Sequence, residues 1–286
     1  MDKIRIGVIG GSGLYHMEDL EGHETVSLDT PFGTPSDDYH VGTLRGRRIA
    51  FLPRHGRGHR LMPTELPFRA NIHGFRQLGV EYLISVSAVG SMKEEIVPGH
   101  LVLPDQFIDL TRGRPSTFFG GGIVGHIPFD KPTCSLLAEV LYGAGREGSA
   151  TMHLGGTYVC IEGPQFSTLA ESLLYRSWGV DVIGMTNMPE ARLAREAEIC
   201  YATLALATDY DCWHEEEEVS VDQILKIISR NVKTAQDIIR RSVDRLPETR
   251  SCGCCRALEN AVLTKPQSVT SEARERLSLL LDKYRK

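Results

Sequence analysis

The chain has 286 residues, of which 41% are hydrophobic and 24% charged, and its formal net charge is -5. This composition is typical of a soluble globular protein, and the length is sufficient to bury a substantial core. The acidic balance argues against nucleic acid as a partner, although it leaves room for a local basic pocket.

The first residues, Met1-Asp2-Lys3, lead straight into an apolar run without the charged and long apolar regions of a secretory signal. No apolar run approaches the roughly 20 residues that a membrane-spanning helix needs. We therefore expect a cytoplasmic protein that associates with neither membrane nor nucleic acid.

Strand-like and helix-like segments alternate along the chain, with no internal repeat and no low-complexity linker. This alternation predicts an α/β fold with a mixed, mainly parallel central sheet flanked by helices. We expect a single domain over residues 1–286, with a C-terminal helical segment from about residue 220 packed on it.

Four apolar runs are predicted to be buried strands, and polar or small residues follow each of them. The first three are followed by a Gly10-Gly11-Ser12-Gly13 turn, by a cationic segment from Arg54, and by Ser87-Ala88. The glycine turn has neither dinucleotide-binding nor P-loop spacing. Ligands of open α/β sheets lie outside the carboxyl ends of the strands, so these N–H groups, hydroxyls and cations predict a phosphate site. The four runs are Ile4–Ile9, Ile49–Pro53, Tyr82–Val86 and Ile199–Thr208.

The fourth strand is followed by Asp209-Tyr210-Asp211. Its position predicts two carboxylates that face a ligand. The alternative is a turn followed by a helix cap.

Capping boxes at Thr168-x-x-Glu171 and Ser220-x-x-Gln223 predict two helices, the second running to about Arg245. A final helix is expected from Ser271 to Tyr284. The glycine-rich segment from Arg112 to Gly125 is predicted to be a functional or mobile loop. The Glu215–Glu218 run predicts a solvated acidic loop.

Seven cysteines leave at least one thiol unpaired. Three of them lie in Cys252-Gly253-Cys254-Cys255, which is compatible with a metal site, with disulfides of the kind found inside hyperthermophiles, or with reduced thiols. No second thiol pair at zinc-finger spacing accompanies the cluster. We therefore expect neither a metal nor a cofactor.

Eight runs in this chain together resemble the 5'-methylthioadenosine phosphorylase branch of the purine nucleoside phosphorylase family. The resemblance covers about residues 4 to 230 in the family's order. The runs are GVIGGSGL, DTPFGTPSD, RHGRGH, SAVGSMKEEIVPG, DQFIDLT, GTYVCIEGPQFST, AESLLYRSWGVDVIGMTNMPE and ATDYDCW.

The resemblance implies a pentosyltransferase of purine and methionine salvage. In the implied reaction, phosphate, a co-substrate, attacks C1' of 5'-methylthioadenosine, and adenine and 5-methylthioribose 1-phosphate are released. The implied phosphate ligands are Ser12, Arg54, His55, Ser87, the Ala88 backbone and Thr186. In such a site Arg54 would offer a planar donor fork to the phosphate. Considered alone, an Arg54-His55 pair after a strand is also typical of the protein surface, and Thr186 alone could cap the segment before Pro189.

On the nucleoside side, the resemblance implies Phe166 against the base and Met185 against the ribose, although each alone is equally typical of a core. Ser167 and Val221 match positions associated with substrate choice. An apolar wall would receive the methylthio group and favour it over a hydroxyl. That wall consists of Val219, Val221 and Leu225. His59 and His126 border the same end, and the resemblance implies that His126 comes from a neighbouring subunit of a trimer or of a dimer of trimers.

Asp209 is the expected general acid at the purine N7, and Asp211 is expected to assist through the exocyclic amine. Two close carboxylates raise each other's proton affinity, which favours a protonated acid. A carboxylate accepts a hydrogen bond from the 6-amino group of adenine but not from the 6-oxo group of hypoxanthine. Asn187 follows Thr186 where the family's pattern commonly has another threonine; an amide near the base or ribose would widen purine tolerance, and the sequence leaves the effect of Asn187 open.

Two further hypotheses remain open. The first is a 6-oxopurine nucleoside or methylthioinosine phosphorylase, against which the two carboxylates argue. The second is a non-catalytic purine-binding or structural protein, against which the complete set of phosphate ligands argues.

Overall fold

A computed structural model describes residues 3–15, 17–148, 150–214 and 221–284 of the chain, and it leaves out the side chains of Ser12, Tyr15 and 221–225. Its centre is a mixed sheet of eleven strands. The strands are β1 (Ile6–Gly10), β2 (Glu21–Val26), β3 (Tyr39–Leu44), β4 (Arg47–Pro53), β5 (Tyr82–Ser91), β6 (Leu101–Leu103), β7 (Gln106–Asp109), β8 (Met152–Leu154), β9 (Thr157–Cys160), β10 (Val182–Gly184) and β11 (Cys200–Tyr210).

Seven α-helices accompany the sheet in the described part of the chain. They are α1 (Phe68–Leu78), α2 (Ser135–Glu147), α3 (Leu169–Ser177), α4 (Asn187–Glu196), α5 (Val221–Val243), α6 (Ser271–Arg276) and α7 (Ser278–Leu281). Short 3-10 turns cover Ser12–Tyr15, Pro63–Glu65, Gly253–Arg256, Pro266–Ser268 and Asp282–Tyr284. None of the helices among the described residues combines the length and the apolar character needed to cross a membrane.

The sheet is built around β5, which pairs with β1 and β11 in parallel and with β10 in antiparallel orientation. The main path of hydrogen-bonded neighbours runs β2-β3-β4-β1-β5-β10-β9-β7, and β11 connects β5 to β6 and β8. Six of the ten described pairings are parallel. The predicted mixed, mainly parallel sheet is therefore confirmed.

Alternation along the central strands produces two cores, one on each face of the sheet. In β11, for example, Tyr201 and Ala205 pack with residues of α1 and α4, whereas Ala202 and Leu204 pack with residues of α2 and α5. The helices thus flank both faces, and the central strands β1, β5 and β11 are mainly apolar because both of their faces are buried.

Two predicted strands extend beyond the ends assigned from the sequence. β5 continues past Val86 to Ser91, and β11 continues past Thr208 to Tyr210. The extensions pair with each other, Asp209 with Gly90 and Tyr210 with Ser91, after an irregularity at Thr208. Polar residues that the sequence pattern had assigned to loops therefore belong to paired strands.

The Thr168 cap is confirmed: its hydroxyl accepts from the Glu171 N–H at 3.3 Å, and the Glu171 carboxylate accepts from the Thr168 N–H at 2.8 Å. The prediction of one continuous final helix is wrong, because the segment forms two short helices. It breaks at Leu277, whose φ and ψ are -104° and 8°, because Leu277 turns into the core together with Leu280 and Leu281.

The Arg112–Gly125 segment forms neither a helix nor an extended strand, as predicted. It is nevertheless packed, because Phe118, Phe119 and Ile123 belong to the core beside α1 and α4. The predicted acidic loop at Glu215–Glu218 and the Ser220 cap lie outside the described residues.

At Gly10, the last residue of β1, the backbone lies so close to neighbouring atoms that a side chain would clash with them. A Cβ there would lie 2.9 Å from the Val86 carbonyl oxygen and 2.5 Å from Leu14, whereas a Cβ at Gly11 would meet no atom within 4 Å. We expect Gly10→Ala to lower the free energy of unfolding by about 1–3 kcal/mol, as overpacking does. Gly11→Ala is the matched control, and equal urea midpoints for the two variants would contradict this account.

Candidate active site

The carboxyl ends of β1, β4 and β5 lie side by side. Gly10 pairs with Pro53, and the Arg54 N–H donates to the Gly10 carbonyl oxygen at 2.8 Å. The turn that contains Ser12 therefore begins beside Arg54, as the sequence predicted. The Ser12 side chain itself lies outside the described set.

Two predicted phosphate-binding hydroxyls converge although 99 residues separate them. Ser87 Oγ lies 3.0 Å from Thr186 Oγ1, and the Tyr158 hydroxyl lies 3.4 Å from Ser87 Oγ. Thr186 precedes α4, but its side chain does not cap the helix. Ala88, the next predicted ligand, is exposed beside this pair. The arrangement presents two hydroxyls and one accessible backbone segment at the centre of the sheet.

The Arg54 side chain, a predicted phosphate ligand, is bound to a buried acid. The Arg54 side chain is 2% exposed, and its donor fork binds Glu190, with Nε at 2.8 Å and Nη2 at 3.0 Å from the carboxylate oxygens. Ser85 and the Val86 carbonyl accept further bonds at 2.7 and 3.0 Å. Among the described residues, one N–H on Nη1 is left without an acceptor. The Nε–Nη2 edge of the guanidinium is therefore occupied by Glu190, because a buried guanidinium requires a buried acid to neutralise it, and the phosphate contact of Arg54 stays a prediction.

Glu190 is the functional candidate that the sequence analysis missed. It is fully buried in α4, and besides Arg54 it accepts from the Ser85 hydroxyl and the Tyr201 hydroxyl, both at 2.8 Å. The signal was available, because a buried cation after a strand requires an acid nearby. Its position in the chain, 136 residues from Arg54, gave no indication of the pairing.

Asn187, whose effect the sequence left open, also belongs to this buried network. Its amide donates to the Tyr201 hydroxyl at 3.1 Å and to Thr203, and the residue is completely buried. The side chain points into the core because α4 begins at this residue and packs on β11.

His55 follows Arg54 and is partly buried. Burial lowers the pKa of His55 to about 4, so the ring is neutral near pH 7. Its Nδ1 lies 2.8 Å from the Leu61 carbonyl oxygen, which only accepts, so Nδ1 carries the proton and Nε2 is an acceptor. His59 is exposed and stacks on His55, with ring centroids 4.3 Å apart.

The two predicted catalytic carboxylates lie together at the ends of β5 and β11. A Cβ built on Gly90 would lie 3.7 Å from Asp209 Oδ2 and 3.5 Å from the Asp211 Cβ. Burial raises the pKa of Asp209; the Thr208 hydroxyl, which donates to this carboxylate, partly offsets the rise, and the charge of Asp211 adds to it. Asp211 Oδ2 is buried and accepts no hydrogen bond from any described residue.

The predicted nucleoside-side residues are only partly assembled. Ser167 lies beside the carboxylates, because its carbonyl oxygen accepts from Cys212 Sγ at 3.5 Å, and its own buried hydroxyl has no partner among the described residues. Met185 precedes Thr186 and is half-buried. Phe166 is 84% exposed and packs on no core.

His126 lies apart from the other predicted site residues. It is exposed in a groove of about 440 Å³ with Phe119, Arg192 and Glu196, and no other predicted site residue lines that groove. The apolar wall is not described: Val219 lies outside the described residues, as do the side chains of Val221 and Leu225.

The comparisons with known proteins agree with this fold. The family model described as phosphorylase superfamily matches residues 5–244. The S-methyl-5'-thioadenosine phosphorylase of Geobacter sulfurreducens is 59% identical over 98% of both chains. A solved methylthioadenosine phosphorylase from an antarctic soil metagenomic library has a TM-score of 0.95 and 48% identity, covering 98% of this chain and 100% of that one. The Schistosoma mansoni methylthioadenosine phosphorylase, solved with adenine, has a TM-score of 0.82 and 32% identity over 98% of both chains. The chain belongs to the phosphorylase superfamily and, within it, to the family of S-methyl-5'-thioadenosine phosphorylases.

The Arg54–Glu190 pair is expected to stabilise the site as a charge pair. Glu190→Gln leaves a buried cation without its counter-charge, and we expect the free energy of unfolding to fall by about 3–5 kcal/mol. Tyr201→Phe removes one neutral donor from the same carboxylate and should cost about 1 kcal/mol. Denaturant unfolding at a fixed protein concentration measures both. Equal losses would show that the carboxylate acts only as a hydrogen-bond acceptor.

Proposed function

We propose that this chain catalyses the phosphorolysis of 5'-methylthioadenosine to adenine and 5-methylthioribose 1-phosphate, a step of purine and methionine salvage. The main support is the β5–β11 strand pair, which holds Ser87 and Asp209 and is followed directly by Asp211, while Thr186, just before α4, places its hydroxyl against that of Ser87. Ser87 and Gly90 are three residues apart on β5, or about 10 Å. A phosphate and a purine joined through one ribose fit that separation.

At the phosphate end, the hydroxyls of Ser87 and Thr186, the Ala88 backbone and the Ser12 turn bind the anion as hydrogen-bond donors. Arg54 contributes its remaining N–H and, with Glu190, fixes the strand ends that carry these donors. His55 is neutral and offers Nε2 as an acceptor. It therefore suits hydrogen phosphate, whose P–OH group supplies a donor.

At the purine end, a phosphate oxygen forms a bond to C1' while the C1'–N9 bond breaks, and the electron pair passes to the purine. Asp209, whose pKa is raised mainly by burial, is the proposed donor of a proton to N7, so that neutral adenine leaves. The proton released from hydrogen phosphate reaches Asp209 through solvent and restores it.

Asp211 supplies the choice of base. Its buried Oδ2 has no donor among the described residues, and a buried carboxylate oxygen requires one. The 6-amino group of adenine donates to it, whereas the 6-oxo group of hypoxanthine would meet it as acceptor against acceptor.

The proposed enzyme is an oligomer of one-domain subunits, either a trimer or a dimer of trimers. His126 lies in a groove away from Asp209, and Phe166 projects from the surface. In such an oligomer, a neighbouring subunit would place its His126 against the nucleoside site of this chain and would cover the exposed Phe166. The final helices, whose Leu277 and Leu280 enter the core next to α1 and α4, support one domain.

Adenine release from 5'-methylthioadenosine should depend strictly on phosphate, with adenosine as a weaker substrate and inosine converted least. Parallel reactions on the three nucleosides, each with and without phosphate, measure this by separating the free bases. Preferred conversion of inosine would establish the 6-oxopurine alternative. No conversion of any of them would support a purine-binding protein without catalytic activity.

Asp209→Ala should lower kcat/KM at least about a hundredfold, the scale of a lost general acid. In the parent enzyme the active form carries the proton, so activity is complete below the raised pKa of Asp209 and falls as pH rises through it. The variant should lose this descending limb. Asp29→Ala, which removes an exposed carboxylate, serves as the control. An unchanged limb in Asp209→Ala would assign the proton to another group.

A further inference from the structure

Four thiols from three separate parts of the chain converge at one end of the sheet. Cys134 immediately precedes α2, Cys200 is the first residue of β11, and Cys252 and Cys254 flank Gly253 in the turn after α5. All four sulfur atoms lie within 4.8 Å of one another, and Cys200 Sγ lies 3.3 Å from Cys252 Sγ. None of the proposed substrate-binding residues is among them.

The mutual distances match four ligands around one centre. A tetrahedral zinc ion with zinc–sulfur bonds of about 2.3 Å places its sulfurs about 3.8 Å apart. All four cysteines are free thiols, and each is close to all three of the others. Two disulfides would instead divide the four into two bonded pairs.

The surroundings favour a buried anionic cluster. Cys134, Cys200 and Cys254 are buried in the core formed with α2 and α5, and Cys252 is half-buried at its edge. Cys134 occupies the N-cap position of α2, where the helix dipole stabilises a thiolate. Four thiolates and one divalent ion carry a net charge of -2, and the Arg250 side chain interacts with Cys200.

We propose that Cys134, Cys200, Cys252 and Cys254 bind one zinc ion. The ion would fasten the turn after α5 to the starts of β11 and α2. The sequence expectation of no metal considered only a second thiol pair at zinc-finger spacing, whereas the fold brings Cys134 and Cys200 to the cluster from distant segments.

The test is elemental analysis of the full chain, purified under reducing conditions without chelator from cells supplied with zinc. We expect a stoichiometric amount of zinc in the parent chain, its loss in Cys254→Ser, and its retention in Cys255→Ser. Cys255 is the matched control because its Sγ donates to the Cys252 carbonyl oxygen at 3.4 Å and is outside the four-sulfur set. The same analysis distinguishes zinc from iron, which four thiolates also bind.

A second measurement on the parent chain keeps the proposal independent of how the variants fold. Growth with cobalt in place of zinc should yield protein with the intense thiolate-to-cobalt absorption of a tetrahedral four-sulfur site. Metal-free parent protein that takes up no cobalt would overturn the proposal, and so would two disulfides found by mass spectrometry. Iron in place of zinc would overturn the choice of metal. Because none of these measurements uses catalytic activity, they stand apart from the proposed phosphorolysis.

Discussion

The parallel pairing of β5 with β11 is the constraint on which the site depends. It runs from Tyr82 and Cys200 at one end to Ser91 and Tyr210 at the other. The irregularity at Thr208 shifts the register of the strands and brings Asp209 opposite Gly90, which is the kind of adjustment that bulges make beside active sites. Both carboxylates lie close to Gly90, where a Cβ would be 3.5 Å from the Asp211 Cβ and 3.7 Å from Asp209 Oδ2.

The second constraint on the site is a buried network of charged and hydroxyl groups. Arg54, Glu190, Ser85 and Tyr201 form one buried network in which the hydroxyls and the ion pair satisfy one another. Such a network is costly unless it is complete, and it fixes a unique arrangement when it is. It joins β4, β5, α4 and β11 directly behind the Ser87–Thr186 hydroxyls. The proposed phosphate site therefore rests on a rigid polar base.

The sequence predicted those parts of the molecule whose signal is local. Apolar runs located the central strands, the Thr168 capping box located α3, and the resemblance brought Ser87, Thr186, Asp209 and Asp211 into one proposed site. It failed where the partner is distant in the chain. The Arg54–Glu190 pair was not predicted because nothing near Arg54 in the chain indicates Glu190. The thiols at 134 and 200 were not connected with those at 252 and 254 for the same reason.

The central claim is that the ends of β5 and β11, together with the start of α4, bind phosphate at Ser87 and Thr186 and the purine at Asp209 and Asp211. A crystal structure with adenine and phosphate bound together tests it most directly. The account predicts the anion within hydrogen-bond distance of both hydroxyls, and adenine with N7 at Asp209 and its amino group at Asp211. Adenine bound elsewhere, or an anion held away from Ser87 and Thr186, would contradict it.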